Sequence, residues 1–265
     1  MSGASLRGWR PSPFLRVSLV IHAAAFVLLF SHWLWAIAIV LLNHAVIAIA
    51  GLLPRSALLG VNLKRLPAAA SERGEIALTF DDGPHPEVTP QVLDMLERHH
   101  VRATFFCIGE RAAAHPDICR DIVARGHRIE NHGQRHHNTL AFSGVGGWRC
   151  EINAAQKTLA DITGQRPQFF RPLAGIRNPF LDPALHLCGV RLASWTRRGY
   201  DTRCGDADII LARLTRNLAA GDILLLHDGN AAQNSNGQPV VLEVLPRLLA
   251  ELAKHQLHPA PLTIS

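Results

Sequence analysis

The chain has 265 residues, 48% of them hydrophobic, which is enough for one sizeable folded domain with some chain left over. Its formal net charge is +6 at pH 7. Residues 1–73, with seven basic residues and one acidic residue, account for that charge, and residues 74–265 carry 20 of each kind. A nucleic-acid-binding protein should carry a cluster of basic residues on its folded domain. The distribution of charge therefore argues against a nucleic-acid partner.

The first element is an uncharged, apolar run of 38 residues between Arg16 and Arg55. A membrane-spanning helix needs about 20 residues, so the run is about twice as long as one span. It predicts a transmembrane helical hairpin with helices at about residues 14–31 and 34–52, within an N-terminal membrane segment of residues 1–66. A buried hairpin of a soluble protein is the alternative, and the run is too long for a cleaved signal peptide.

Basic residues flank this run on both sides. They are Arg7, Arg10 and Arg16 before it, and Arg55, Lys64 and Arg65 after it. A hairpin puts both flanks on one side of the membrane, and the positive-inside rule makes that side cytoplasmic. Five cysteines without CxxC spacing agree with a reducing compartment. We therefore expect a multi-pass protein that contacts membrane lipid and has its folded domain on the cytoplasmic side.

Beyond a linker at residues 67–73, short apolar runs alternate with amphipathic stretches. The strand-like runs lie at residues 76–80, 103–108, 128–130, 169–171, 192–195 and 223–226. Alternating strands and helices imply parallel strands, in an open α/β sheet or a barrel. The polar residues that are candidates for catalysis or metal binding follow the strand ends, where (β/α) barrels carry their active sites. This placement predicts a distorted (β/α)7-type barrel at residues 74–258.

Two polar motifs indicate a metal site. Asp81 and Asp82 end the first strand, and a metal on one carboxylate would leave the other free to act as a base. His132 and His136 are four residues apart, so a helical turn would point both imidazoles the same way. Two histidines and a carboxylate suit Zn, Fe, Co or Mn. An Asx-type turn at the aspartates, and a chance pair among 15 histidines, are the alternatives.

Two further loops carry candidate residues. Arg171 can clamp a carboxylate, and its tight Arg-Pro-Leu-Ala-Gly loop can present a backbone N–H to an oxyanion. His227 ends an apolar strand, and a histidine near its unperturbed pKa suits a general acid. An ordinary loop with a solvated arginine, and a histidine that caps a strand end, are the alternatives.

Taken in order, these segments resemble the polysaccharide deacetylase family, carbohydrate esterase family 4, with its NodB homology domain. TFDDGP is similar to the first family motif, HxxxH at His132 to the second, RPLAG to the third and LLLHD to the fifth. Trp195 and Asp201 fit the fourth, in which an Asp lies six residues after an aromatic residue. The match covers about residues 74–256, and its joint order and spacing are highly specific.

The resemblance implies a metal-dependent hydrolase that removes an N-acetyl or other acyl group from an amino sugar in a polysaccharide or lipid-linked glycan. The implied ligands of a divalent metal, usually zinc but with Co²⁺, Mn²⁺ or Ni²⁺ as options, are Asp82, His132 and His136. The implied catalytic residues are the base Asp81, its orienting partner Arg171, the acid His227 and its tuning partner Asp201. The other implied contacts are an oxyanion donor at the Ala174 backbone N–H and substrate contacts at Leu224 and Trp195. With the hairpin, the resemblance predicts an enzyme of a bacterial inner membrane.

Several positions depart from the family pattern. Gly133 replaces a Ser or Thr, Leu173 and Ala174 replace Pro-Tyr, and Thr202 replaces a Trp. Arg197 and Arg198 add positive charge near Thr202. We therefore expect a pocket that prefers an anionic or lipid-phosphate-linked sugar to neutral chitin or xylan. A deformylase-type amidase on a lipid-linked sugar and a sugar-binding pseudoenzyme of the same fold are the alternatives.

Overall fold

The computed structural model describes residues 8–263. Arg7 and the other residues that begin the predicted membrane segment lie outside this range. The helices within it are α1 Pro13–Leu28, α2 Trp33–Leu52, α3 Ala68–Glu72, α4 Val88–Arg98, α5 Gly109–Ala114, α6 Pro116–Ala124, α7 Val145–Thr163, α8 Leu181–Cys188, α9 Ala207–Thr215 and α10 Val241–Lys254. The strands are β1 Glu75–Asp81, β2 Thr104–Cys107, β3 Arg128–Asn131, β4 Phe169–Phe170, β5 Arg191–Leu192, β6 Arg197–Arg198, β7 Ile223–His227 and β8 His258–Pro259.

Helices α1 and α2 form the predicted N-terminal hairpin, and their bounds lie close to the expected ones. The chain reverses in the turn at residues 29–31, so the two helices are antiparallel. Between them the Asn43 amide donates to the Ser18 hydroxyl (2.7 Å), and the His22 and His44 rings meet edge to face. Most large apolar side chains of the hairpin point outward, including Phe30 near its tip. The hairpin therefore presents an apolar surface that its own packing does not cover.

Only α2 among the helices of residues 8–263 is long and apolar enough to cross a membrane by length and composition. Helix α1 has 16 residues and is ~24 Å long, which is short of a ~30 Å hydrocarbon core. The prediction of two full spans is therefore not supported, although the hairpin itself is present.

The strands of residues 8–263 form one parallel sheet in the order β5-β4-β3-β2-β1-β7-β6, with β8 paired to the start of β1. The sheet curls into a half-barrel with helices around it, which confirms the predicted distorted (β/α)7-type barrel. Parallel pairing brings all strand ends of one polarity to the same edge. At that edge Asp81 of β1 lies beside His227 of β7, and Asn131 of β3 lies beside Phe170 of β4.

Alternate residues of the central strands face two separate apolar cores. Leu78 and Leu224 belong to the core between the sheet and its outer helices, whereas Ala77 and Leu225 belong to the core on the inner side of the curl. Burial on both faces explains why β1 and β7 read as continuous apolar runs instead of alternating ones.

Strands β6 and β8 were not predicted from the sequence. Strand β6 consists of Arg197 and Arg198, so it carries no apolar side chain that a hydrophobic pattern could detect. Its strand geometry comes from parallel pairing with Leu224 and Leu225 of β7. Tertiary pairing, not local propensity, therefore makes this segment a strand.

The chain that leaves the hairpin packs against the barrel. The Arg177 N–H donates to the Gly51 carbonyl (3.1 Å), and the approach leaves no room for a Cβ on Gly51. Leu63 forms a parallel bridge with Ala193, beyond the end of β5. Helix α3 lies within the residues predicted as a linker. The base of the hairpin is thus held against the loop that follows β4, while the predicted domain bounds stay a prediction.

Candidate active site

Side chains from several strand ends surround a cavity of about 250 Å³ at the carboxyl edge of the sheet. The residues that line it are Asp81, Asp82, His132, His136, Leu173, Ala174, Trp195, Arg198, Thr202, Arg203, Leu225, His227 and Asn230. Two other predicted residues lie behind this lining, where Arg171 binds Asp81 and Asp201 binds His227. The structure therefore brings together every predicted polar residue of the site.

Arg171 is fully buried and fixes the carboxylate of Asp81. Its Nη1 donates to Asp81 Oδ1 (2.6 Å) and to the Thr79 hydroxyl (2.9 Å), and two further N–H groups bind backbone carbonyls. The positive charge of Arg171 offsets the repulsion between the two adjacent carboxylates at the end of β1. Because Oδ1 is engaged, Oδ2 of Asp81 is left on the side of His132, 3.9 Å from its Nε2.

Asp82, His132 and His136 converge on one point. Asp82 Oδ1 lies 3.2 Å from His132 Nε2 and 3.1 Å from His136 Nε2, and the two Nε2 atoms are 3.2 Å apart. His132 Nδ1 donates to the Arg171 carbonyl (2.7 Å), which leaves Nε2 as the ligand atom of this ring. Burial acts to raise the pKa of Asp82, but the hydrogen bonds with the two histidines outweigh it and hold the pKa well below its usual range.

This set of three donors fits a divalent metal ion. Three atoms separated by about 3.2 Å suit bonds of about 2.0–2.1 Å to a common centre, as in tetrahedral sites with His and carboxylate ligands. A carboxylate oxygen and two imidazole lone pairs repel one another at such distances unless a cation or proton lies between them. Three protein ligands also leave open positions, which is typical of a catalytic and not a structural site.

The two histidines do not lie on a helical turn, contrary to the expectation from their spacing. Residues 132–137 form a loop, in which Gly133 has φ 87° and His136 has φ 60°. The Glu151 carboxylate on α7 holds this loop, because Oε1 accepts from the backbone N–H groups of Arg135 (2.6 Å) and His136 (3.2 Å). A positive φ strains residues with a Cβ. The glycine that replaces the family's Ser or Thr therefore suits the conformation of this loop.

Two residues that the sequence reasoning missed hold the other side of Asp82. Asn230 Nδ2 donates to Asp82 Oδ2 (2.9 Å), which leaves Oδ1 for the histidines. Arg111 in turn donates to Asn230 Oδ1 (3.0 Å) and to the Asp82 carbonyl (2.6 Å). Asn230 follows His227 by three residues, and this polar position beyond a strand end was the one available signal.

His227 forms a buried pair with Asp201. His227 Nδ1 donates to Asp201 Oδ1, and the His227 backbone N–H donates to Asp201 Oδ2, both at 2.8 Å. Burial acts to lower the pKa of His227, but the charge and hydrogen bond of Asp201 outweigh it, so the pKa is raised above its usual value. Nδ1 is engaged, so Nε2 is the nitrogen of His227 that is left for the cavity.

Leu224 does not line the cavity, contrary to the prediction. Side chains alternate along a strand, and Leu224 is fully buried against the outer helices, whereas its neighbour Leu225 faces the cavity. The predicted contact Trp195 does line it. So does Ala174, which has a left-handed backbone with φ 52°.

With this geometry in place, comparison with known proteins identifies the chain. The sequence profile of the polysaccharide deacetylase family matches residues 68–193. A peptidoglycan-N-acetylglucosamine deacetylase of Bacillus cereus is 35% identical over 182 residues, which make up 68% of this chain and 82% of the relative. The chain belongs to the polysaccharide deacetylase family. The deacetylases of this family are metal-dependent hydrolases of the amide bond in N-acetylated sugars, which confirms the predicted family and enzyme class.

Other relatives and a solved structure are also similar to this chain. A chitooligosaccharide deacetylase of Azorhizobium caulinodans is 35% identical over 158 residues, or 59% of this chain and 75% of the relative. The chain spans 66% of a second Bacillus cereus peptidoglycan-N-acetylglucosamine deacetylase, at 32% identity. The solved structure of a family 4 carbohydrate esterase from Streptomyces lividans in complex with acetate superposes with a TM-score of 0.64, at 30% identity, over 72% of this chain and 93% of that one.

Proposed function

We propose that the protein removes the N-acetyl group from an amino sugar in a glycan or a lipid-linked glycan. One observation carries this proposal. Three ligand atoms, from Asp82, His132 and His136, lie within 4.8 Å of one another, and Asp81 and His227 line the same cavity. Amide hydrolysis at neutral pH needs an activated water, charge stabilisation on oxygen and a proton for nitrogen, and this cavity offers a residue or ligand set for each.

The two alternatives are not favoured. A sugar-binding pseudoenzyme has no need of a base, an acid and a ligand set in one cavity, and all of these residues are present here. A deformylase-type amidase would use the same chemistry, but the relatives named above are deacetylases. Acetate is therefore the expected product.

Zinc is the metal that we propose for the site, because two imidazoles and a carboxylate form a common catalytic zinc set. A bound divalent metal lowers the pKa of a water molecule and polarises the acyl oxygen. The residues that would hold it are Asp82, His132 and His136, with Asn230 fixing the second oxygen of Asp82.

The chain's own groups supply the proton transfers. Asp81, held at Oδ1 by Arg171, takes a proton from the attacking water as that water's oxygen bonds to the acyl carbon. His227 then donates the proton on Nε2 to the leaving nitrogen, and the C–N bond breaks to give acetate and a free amine. The backbone N–H of Ala174 is proposed to donate to the oxygen on which negative charge develops.

Chelation tests this function directly. The full-length protein should release acetate from N-acetylated amino sugars, lose that activity when a chelator removes the metal, and regain it when Zn²⁺ is restored. Acetate and formate are measured together over a panel of substrates, including a chitooligosaccharide and a lipid-linked N-acetylglucosamine. Acyl release that is insensitive to chelation, or no release from any substrate, would overturn the proposal.

Asn230→Ala is expected to weaken zinc binding by about 10–100-fold, as loss of groups that orient metal ligands does in other proteins. The reason is that Asp82 Oδ2 loses its donor, so the carboxylate is free to rotate. Competition with a chelating dye measures the affinity. Asn236→Ala, at an exposed position, is the matched control and should bind zinc as the wild type does. Equal affinities in both variants would contradict the orienting role.

Asp201→Asn should move the alkaline limb of the pH–rate profile to lower pH. His227 acts while protonated, so activity falls as pH rises through its pKa, and Asp201 raises that pKa. Replacing the carboxylate by a neutral amide removes this effect. The profile of kcat/KM against pH is the measurement, with the exposed Asp208→Asn as the control. An alkaline limb that stays in place would show that His227 is not the titrating acid.

We propose that the apolar hairpin attaches the enzyme to the bacterial inner membrane, with the catalytic domain on the cytoplasmic side. Helices α1 and α2 are antiparallel, so their basic flanks, with Arg16 and Arg55, lie at the same end of the hairpin. Cys150 is the exposed cysteine of residues 8–263. A membrane-impermeant maleimide should label it in opened membranes and not in intact spheroplasts. Labelling in intact spheroplasts would place the domain on the other side.

A further inference from the structure

A second, larger cavity adjoins the catalytic one. It holds about 800 Å³, compared with about 250 Å³ at the catalytic site, and the two share Trp195 and Arg198 as a common wall. Pockets for small ligands usually measure about 300–1,000 Å³. The catalytic cavity alone falls below that range, and the two shared residues place a second, ligand-sized space directly beside it.

The second cavity is strongly basic. It is lined by five arginines and by no aspartate or glutamate. The arginines are Arg55, Arg197, Arg198, Arg213 and Arg216. Guanidinium groups bind phosphate oxygens through paired N–H donors, which makes arginine clusters the usual protein partner of phosphate.

Most of this charge has no partner within the protein. Arg197 is paired with Asp222 (3.1 Å). Within residues 8–263, the other four arginines of the cavity have no carboxylate at ion-pair distance, and Nε of Arg198 is buried without a hydrogen-bond partner. Unpaired like charges held together disfavour the folded state unless an anion joins them. The cluster therefore has the character of a binding site and not of a structural ion-pair network.

Two of these arginines, Arg198 and Arg213, are also held in place. The guanidinium groups of Arg198 and Arg213 lie 4.9 and 5.6 Å from the centre of the Tyr200 ring, and Arg213 donates to the Gly199 carbonyl (3.2 Å). Stacking on one ring fixes two guanidinium groups near each other before any ligand arrives. An anion that binds them thus has less side-chain ordering to bring about.

The cavity lies at the base of the apolar hairpin. Leu53 and Pro54, which follow α2, form part of its lining. Pro54 also packs against Gly175, next to Ala174 of the catalytic cavity. Leu53 is 55% exposed, and the outward-facing apolar side chains of α2 continue from it toward the tip. A ligand anchored by its phosphate in this cavity could therefore lay an apolar chain along α2 and its sugar toward the metal ligands.

We propose that this cavity is the subsite for a phosphate or diphosphate group that links the amino sugar to a lipid chain, so that the substrate is a lipid-linked N-acetylated sugar. The inference rests on the proposed deacetylase function, whose substrate class it narrows. An anionic phospholipid headgroup has the same charge. The wall shared with the catalytic cavity, through Arg198 and Trp195, favours a phosphate that is part of the substrate.

The test compares three N-acetylglucosamine substrates with the full-length protein in detergent micelles. They are neutral chitotetraose, water-soluble uridine diphosphate N-acetylglucosamine, and polyprenyl diphosphate-linked N-acetylglucosamine. Wild-type kcat/KM should be highest for the lipid-linked sugar, at least about tenfold above chitotetraose. The Arg213→Gln/Arg216→Gln variant should reduce that preference at least about tenfold, mainly through KM. The control Arg98→Gln/Arg120→Gln removes two exposed arginines that line neither cavity and should keep the preference.

The outcomes separate the inference from the function on which it rests. No acetate from any of the three substrates would count against the deacetylase function itself. Equal kcat/KM for chitotetraose and the lipid-linked sugar, or an unchanged preference in Arg213→Gln/Arg216→Gln, would overturn the phosphate subsite alone. Cosedimentation with phosphatidylglycerol vesicles is the last arm. Loss of vesicle binding in that variant without any change in preference would reassign the cavity to lipid headgroups and also overturn the inference.

Discussion

Asp81→Asn should reduce the rate of acetate release by about 10²–10⁴-fold, the range typical for loss of a general base. Asparagine has nearly the same shape and can still accept a hydrogen bond from Arg171, but it cannot take a proton from water. The three metal-ligand side chains are untouched by this change. Initial rates of acetate release from an N-acetylated amino sugar, with zinc-loaded protein, are the measurement.

The variant needs two companion measurements. Arg171 is fully buried, and a neutral partner leaves its charge uncompensated, so stability should be followed by thermal unfolding and the rates compared below the transition. Zinc content and sugar binding should stay close to those of the wild type. Asp117→Asn, at an exposed carboxylate on α6, is the matched control and should keep full activity. A variant at position 81 that keeps a tenth or more of the wild-type rate would rule out Asp81 as the base.

The polar residues of the site could be predicted because the family motifs fall at strand ends. Asp81, His132, Arg171 and His227 each end or follow a strand of one parallel sheet, and parallel pairing gathers those ends at one edge. The predicted half-barrel follows from the same alternation of strands and helices. Local sequence and a general rule of topology were sufficient for this part of the structure.

Other features depend on contacts between segments far apart in the chain. The loop at His136 is shaped by Glu151 on α7, and the rotation of Asp82 is fixed by Asn230. The spacing of the histidines alone indicated a helical turn at His136, and the sequence indicated no partner for the Asp82 carboxylate. The error at Leu224 has a different origin, because a fully apolar strand does not reveal which face points to the site until both of its neighbours are known.

The basic cavity illustrates the same limit. The sequence indicated Arg197 and Arg198 as a source of positive charge near the site. It did not indicate that Arg55, which follows the apolar run, and Arg216, which follows α9, lie near them. The fold brings these separated arginines together around one cavity beside the catalytic one. The fold also places Asp222 between Arg197 and Arg65, at 3.1 and 2.9 Å, so only part of the charge of Arg197 is offset within the protein.

Arg171→Met should lower the free energy of unfolding by about 3–5 kcal/mol at neutral pH, the range found when one partner of a buried ion pair is removed. Methionine fills much of the same volume, so the cost comes from the Asp81 carboxylate left without its cation. Two backbone carbonyls also lose their donors. Urea unfolding of chelator-treated protein measures the change without a contribution from metal binding. Arg120→Met, at an exposed position, should change stability by less than about 0.5 kcal/mol.

A double-mutant cycle separates the ion pair from the packing of Arg171. In the Arg171→Met background, Asp81→Asn removes the unpaired buried charge and should restore part of the lost stability. In the wild-type background the same substitution should destabilise the protein, because it leaves Arg171 unpaired. Opposite signs in the two backgrounds mean a coupling between the side chains, whereas simple addition of the two losses would mean that Arg171 acts through packing alone. Activity should fall in all three variants, because Asp81→Asn removes the base and Arg171→Met removes the side chain that holds its carboxylate in place.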